Sequence, residues 1–262
     1  ESEITVEVNP DSVSHDWLQA VHDAGVNRIN IGVQSFNDDY LRWLGRLHSA
    51  DQAINAIGAA RETGFTNIGL DIIYGLAGQT DDQLKQDLEQ ALNFSPEHLS
   101  CYMLTYEPGT PLTHDLENRT FEKLPDRRAS DFFMFVSEFL QEHGYAHYEI
   151  SNFARSKELR SRHNRKYWRR VPYVGLGPGA HAYDGAIRSW NPPDVATYIS
   201  TLTNHHPLKP EQEVLSREQH MTESIYLGLR LADGIDIPSF NREFDVDFEE
   251  LFRAAIDIWA ST

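Results

Sequence analysis

The chain has 262 residues, 40% of them apolar and 24% charged, the composition of an ordinary globular protein. Its net charge of −17 excludes the sequence-independent phosphate binding on which nucleic-acid affinity rests, and argues against an anionic membrane surface. No apolar run reaches the roughly 20 residues that span a bilayer and no signal peptide opens the sequence, so a cytoplasmic protein is expected.

The first half alternates strand and helix. Ile4 to Val8 (ITVEV) predicts a short strand ending at Asn9-Pro10. Ser14 caps a helix whose apolar face holds Trp17, Leu18 and Val21, and Gly25 ends it. Arg28 to Val33 (RINIGV) is the next strand. A helical stretch follows from about Asp38 and another from Ala50 to Thr63, stopped by Gly64. Ile68 to Tyr74 is the third strand, Thr80 to Leu92 a helix with Thr80 as cap, and Leu99 to Leu104 the fourth strand. These strands read as too apolar to leave one face wet, which predicts a buried parallel sheet. Right-handed β–α steps fit either a doubly wound sheet or part of a barrel, and local pattern does not choose between them. The sequence enters a strand almost at once. Early barrel strands are therefore expected to be missing, leaving an open parallel edge that favours a homodimer or aggregates.

The remainder differs. Pro125 to Gly144 predicts one long amphipathic helix, and Tyr145 to Phe153, Tyr173 to Leu176 and Ala182 to Trp190 predict short strands around turns. Asp194 to Thr201 and Arg217 to Leu229 read as helices, and a small α-rich unit begins near Ile237. Against the acidic background, Arg155 to Arg170 carries eight Lys or Arg and one Glu in sixteen residues. Such an island is either a solvated loop or an attractor of anionic ligands. The single cysteine, Cys101, lies in an apolar run and is expected to be a buried strand thiol. One cysteine cannot hold an iron–sulfur cluster.

Polar groups gather at strand ends. Glu7 precedes Asn9-Pro10, Gln34 follows the RINIGV strand, Asp71 interrupts an apolar strand, and Glu107-Pro108-Gly109-Thr110 follows the fourth strand. Carboxyl ends of parallel strands are where α/β folds bind ligands. A carboxylate within a buried strand costs several kcal/mol unless partnered, so Asp71 needs a hydrogen-bond network or a ligand. Gly175-x-Gly177-Pro178-Gly179 opens no helix and lacks G-K-[ST], which excludes a phosphate loop. No G-x-S-x-G elbow supports a serine hydrolase.

An ordered set of motifs adds a family resemblance: E-V-N-P at Glu7, G-V-Q-S-F at Gly32, D-I-I-Y-G-L-A-G-Q-T at Asp71, L-T-Y-E-P-G-T-P-L at Leu104, Y-E-I-S-N-F-A-R at Tyr148, V-G-L-G-P-G-A-H-A-Y at Val174 and E-S-I-Y-L-G-L-R-L-A-D-G-I at Glu223. In collinear order these resemble the HemN/HemW branch of the radical-SAM proteins over nearly the whole chain. The resemblance implies a partial (β/α)6 TIM-type barrel, here without its early strands, and a small C-terminal α-rich domain. Residues 1–115 would be the barrel, 116–210 the barrel end and haem side, and 211–262 the start of the HemN-type C-terminal domain. It implies S-adenosylmethionine bound at Glu7, Gln34, Arg46 and Asp71, and a [4Fe–4S] cluster on a C-x3-C-x2-C motif that these residues do not contain. His163-Asn164-Arg165-Lys166-Tyr167-Trp168 matches H-N-x-x-Y-W and resembles the branch's haem signature. On that resemblance His163, Asn164, Tyr167 and Trp168 contact haem, with His181 a second candidate ligand and His147 a strand-surface residue. The implied function is a haem chaperone in porphyrin metabolism that delivers haem to a recipient protein. The alternatives are an oxygen-independent coproporphyrinogen III oxidase and a non-catalytic scaffold, so whether the chain is an enzyme stays open.

Overall fold

The structure is a computed structural model that describes residues 2–260. The chain divides into two compact units after Arg160. The first contains β1 (Thr5–Val8), α1 (His15–Asp23), β2 (Arg28–Gln34), α2 (Asp38–Trp43), α3 (Ala50–Thr63), β3 (Ile68–Tyr74), α4 (Asp81–Asn93), β4 (His98–Met103), α5 (Pro111–Glu117), α6 (Asp126–Glu142), β5 (Ala146–Glu149) and β6 (Asn152–Ala154). They form a six-stranded sheet of order β1-β2-β3-β4-β6-β5. The first four strands are parallel, while β6 runs antiparallel to both β4 and β5.

The helices begin where short polar side chains can satisfy their first N–H groups. Ser14 caps α1, and Ser49 and Thr80 open α3 and α4 as capping boxes with Gln52 and Gln83. The α3 helix stops at Gly64, whose φ of 105° suits glycine. Replacing Ser49 by alanine is expected to lower unfolding free energy by about 1 kcal/mol. Urea denaturation of the two proteins checks this; an unchanged midpoint would show that the capping box contributes nothing.

One core holds the unit together. Leu18 of α1, Ile57 of α3, Leu88 of α4 and Phe132 and Leu140 of α6 pack on Ile29, Ile31, Val33, Leu70, Ile72, Leu99 and Cys101 of the sheet. Those strand residues alternate along each strand, so they share one face. A doubly wound sheet would carry helices on both faces. Here α1, α3, α4 and α6 cover the same face, which is the construction of a barrel wall. The thiol of Cys101 is buried in this core, as its apolar run predicted.

The second unit contains α7 (Arg162–Trp168), β7 (His181–Tyr183), β8 (Ile187–Trp190), α8 (Val195–Thr203), β9 (Glu211–Val214), α9 (Arg217–Gly228), α10 (Ile237–Phe244), α11 (Phe248–Leu251) and α12 (Arg253–Ala260). Its strands form an antiparallel sheet, β7-β8-β9, and Phe240, Phe244 and Phe248 form a small aromatic core. Two expectations are corrected here. Tyr173 to Leu176 is not a strand; only Tyr173 bridges, to Tyr183. A side chain on Gly175 would lie 2.0 Å from the His181 carbonyl oxygen, so the chain passes close by His181 there without forming a ladder. The H-N-x-x-Y-W segment is helical, because the Ser161 hydroxyl accepts from Asn164 N (3.2 Å) and starts α7. Among the described residues no helix is long and apolar enough to cross a membrane.

Candidate functional site

The face of the first sheet turned away from the helices is polar. Alternation puts Arg28, Asn30 and Gly32 of β2, Gly69 and Asp71 of β3, and His98, Ser100 and Tyr102 of β4 on that side. As the expected buried parallel sheet requires, β2 is buried along its whole length, yet every second residue is polar or glycine. Register lines these residues up. Glu7 pairs with Asn30, Asn30 with Gly69, and Gly69 with His98, while Asp71 pairs with Ser100 and Ser100 with Asn152 of β6.

Asp71 sits in the middle of this face. Its Oδ2 accepts from Asn30 Nδ2 at 2.7 Å, and its Oδ1 has no hydrogen-bond partner although it is shielded from solvent. Burial pushes its carboxyl up from 3.8 to about 6, against the pull of Asn30, Ser100 and Arg28, and Glu7 pushes it up further. Below Asp71 the wall is closed by structural contacts. Arg28 donates to the Leu159 carbonyl at 3.2 Å. His98 shares a 2.8 Å bond with the Tyr148 hydroxyl, and burial holds its imidazole well below the ordinary histidine value, hence neutral.

Glu7 is exposed on β1, beside Asn30. Gln34 closes β2 with φ 68°, a left-handed conformation that is uncommon outside glycine. Its amide folds back over Gly32, where a side chain would come within 2.8 Å of Nε2. The turn that holds it is fixed from α4. Asp87 accepts from the Ser35 hydroxyl and from Phe36 N, both at 2.7 Å, and Ser35 Oγ accepts from Asn37 N. Arg46 lies in the loop after α2, which His48 ties to the end of β2 through the Val33 carbonyl at 3.0 Å. Arg46 is half-buried and makes no ion pair among the described residues. Glu7, Gln34 and Asp71 thus belong to one wall, and Arg46 stands in a loop anchored to its carboxyl end. Sequence reasoning missed Asn30, Ser100, Asn152 and Asp87. The signal for the first two was the polar–apolar alternation of R-I-N-I-G and H-L-S-C-Y.

A donor-rich ligand fits this wall: a carboxylate oxygen without a hydrogen-bond partner, a second carboxylate, an amide and a guanidinium can meet hydroxyl, amino and carboxylate groups. An iron–sulfur cluster does not fit the residues present. Cys101 is buried, burial pushes its thiol up and away from the thiolate, and among the described residues no group of three His, Cys, Asp or Glu could hold a metal.

In the second unit, His163 is exposed on α7, with its ring edge-on to Tyr167 at 4.8 Å; Tyr167 in turn meets Tyr173. Asn164 and Trp168 lie one turn apart beside them. Trp168 is covered by the Arg230 guanidinium at 4.4 Å, and its Nε1 is buried without a hydrogen-bond partner. It lines a cavity of about 550 Å³ with Arg169, Arg170, Gly234, Phe240 and Glu243. Elsewhere His181 stacks on Trp190. His147, in the first unit, contacts Ser137 Oγ and the Ile150 carbonyl with its two ring nitrogens, which makes it structural.

Comparison with known proteins agrees with this architecture. Residues 1–91 match the model of the Radical SAM superfamily and residues 215–258 that of the HemN C-terminal domain. The chain is 36% identical over 256 residues to the heme chaperone HemW of Bacillus subtilis, covering 97% of this chain and 67% of that protein. It is 34% identical to the heme chaperone HemW of Lactococcus lactis, covering 97% and 66%. It therefore spans about two thirds of the length of these relatives. The solved coproporphyrinogen III oxidase HemN of Escherichia coli, a radical-SAM enzyme, superposes with a TM-score of 0.77 at 22% identity, covering 99% of this chain and 62% of that one. That likeness shows the shared fold. By its identity over two thirds of a HemW relative, this chain belongs to the HemW family of radical-SAM proteins.

Proposed function

We propose that this protein is a haem chaperone acting in the cytoplasm, which holds haem at α7 and passes it to a recipient protein, and which binds S-adenosylmethionine on the polar wall of its sheet. The observation that carries the haem reading is the H-N-x-x-Y-W helix. It presents the exposed imidazole of His163 beside Tyr167, amid the cationic Arg162, Arg165, Lys166 and Arg169. An imidazole nitrogen can ligate haem iron, aromatic rings can cover the macrocycle, and guanidinium groups can pair with its propionates.

For S-adenosylmethionine the candidate contacts are Glu7, Gln34, Arg46 and Asp71. The carboxylates accept from hydroxyl or amino groups, and Arg46 supplies a planar fork for a carboxylate. In this family the bound cofactor, next to a cluster whose cysteines lie outside these residues, is a source of radical chemistry. The residues here bind and orient it.

Haemin titrated into the chain and into His163→Ala, followed by absorbance, tests the haem site. A saturable Soret shift is expected, weakened about tenfold or more by the substitution. Equal binding by both proteins would move the ligand elsewhere, to His181 first. No saturable shift in the unsubstituted chain would sink the chaperone reading.

A further inference from the structure

We infer that Asn30 is a positioning residue: its amide holds the Asp71 carboxylate so that Oδ1 is presented to the ligand. The inference rests on the reading of Asp71 as a contact for S-adenosylmethionine. It is carried by where Asn30 stands. Strand β2 lies between β1 and β3, Glu7 is in register with Asn30 on one side, and Asn30 is in register with Gly69, two residues before Asp71, on the other. Asn30 therefore lies between the two carboxylates proposed to meet the ligand. It donates to Asp71 Oδ2 at 2.7 Å and leaves Oδ1 without a partner.

The strand beside it is built around this amide. A side chain on Gly69 would come within 2.0 Å of Asn30 Oδ1. Gly69 does not have a positive φ, so space rather than conformation calls for glycine there. A glycine inside a strand gives up packing and costs chain entropy. Here it lets the Asn30 amide lie across β3 to reach Asp71. The charged and titratable groups around Asp71 are Glu7 on β1, Arg28 on β2, and Cys101 and Tyr102 on β4, with the Ser100 hydroxyl beside them. Glu7 favours the protonated carboxyl, and the Asn30 hydrogen bond is the first of the contacts that oppose this. Losing it frees the carboxyl to rotate and moves its titration upward.

The test uses S-adenosylhomocysteine as probe, titrated calorimetrically into the full chain, Asn30→Ala and Asn30→Ser at pH 6 and pH 8, with the Asp71 carboxyl followed by carbon NMR. The expected result is a loss of affinity of about tenfold in Asn30→Ala at pH 8. The loss is larger at pH 6, the Asp71 titration moves up, and the shorter donor of Asn30→Ser recovers part of the affinity. If Asn30→Ala does not fold, Asn30→Val, which suits a buried strand and removes the donor without adding charge, takes its place with the same expectation. Equal losses at both pH values with an unmoved Asp71 titration would make Asn30 a purely structural residue and overturn the inference. So would undiminished binding by the variants, which would leave the ligand reading standing. No binding by the unsubstituted chain overturns the ligand reading, and this inference with it.

Discussion

Replacing Asp87 by alanine is expected to lower the unfolding free energy of the chain by about 2–4 kcal/mol. The carboxylate is buried on α4, where it accepts from the Ser35 hydroxyl and the Phe36 amide, each at 2.7 Å. Both donors lie in the turn after β2, and Ser35 Oγ passes the constraint on by accepting from Asn37 N. Alanine removes both acceptors and leaves the donors without partners, which costs more than the hydrogen bonds alone contribute. Burial raises the Asp87 carboxyl while these two bonds pull it back, so the site tolerates the charge because both bonds are made. The same turn holds Gln34 in its left-handed conformation, so ligand affinity on the polar wall falls together with stability. Asp87→Asn keeps one acceptor and should lose about half as much. Denaturant unfolding measures all three proteins; an Asp87→Ala value within about 0.5 kcal/mol of the parent would show that α4 does not hold this turn.

The second large effect is a dependence on pH. The Asp71 carboxyl is raised in the folded chain from 3.8 to about 6, mainly by burial. A raised acid binds more protons in the folded state than in the unfolded one, so stability falls as pH rises through the interval between the two values. Below about pH 4 both states are protonated and the penalty vanishes; above about pH 6 it is fully present. A shift of this size corresponds to at most about 3 kcal/mol. Asp71→Asn removes the titrating group and keeps an acceptor for Asn30. The variant should therefore match the parent near pH 4 and exceed it at pH 7 to 8, the difference growing between pH 4 and pH 6. Asp87 contributes in the same direction in both proteins and cancels in the difference. A stability difference independent of pH would show that Asp71 titrates at its ordinary value.

Much of the site is legible in the amino-acid sequence. Glu7, Gln34 and Asp71 stand out as polar residues in or just after apolar strands, and strand ends are where α/β folds bind. Asn30 does not stand out, because between Ile29 and Ile31 it reads as a tolerated polar residue. Its importance depends on the register of β2 with β3, and Asp71 is 41 residues away in sequence. Gly69 reads as a weak spot in a strand until the Asn30 amide is found across it. The helix of α7 is hidden because its charges mask any apolar periodicity. Ser161, a good helix cap, is the signal that could have found it.

The sequence by itself determined most of the helices and strands of the first unit, α5 excepted, where the caps of α1, α3 and α4 fall, that Cys101 is buried, and that the first four strands run parallel. These follow from local capping, from apolar period and from the length of the connections, all of which act within a few residues. Tertiary structure alone decided that the helices share one face of the sheet, that the other face is a polar wall, and that Asn30 and Asp87 hold the residues beside them. Those outcomes depend on contacts between strands and helices tens of residues apart. Their geometry is set by how the whole core packs, and no local pattern encodes that register.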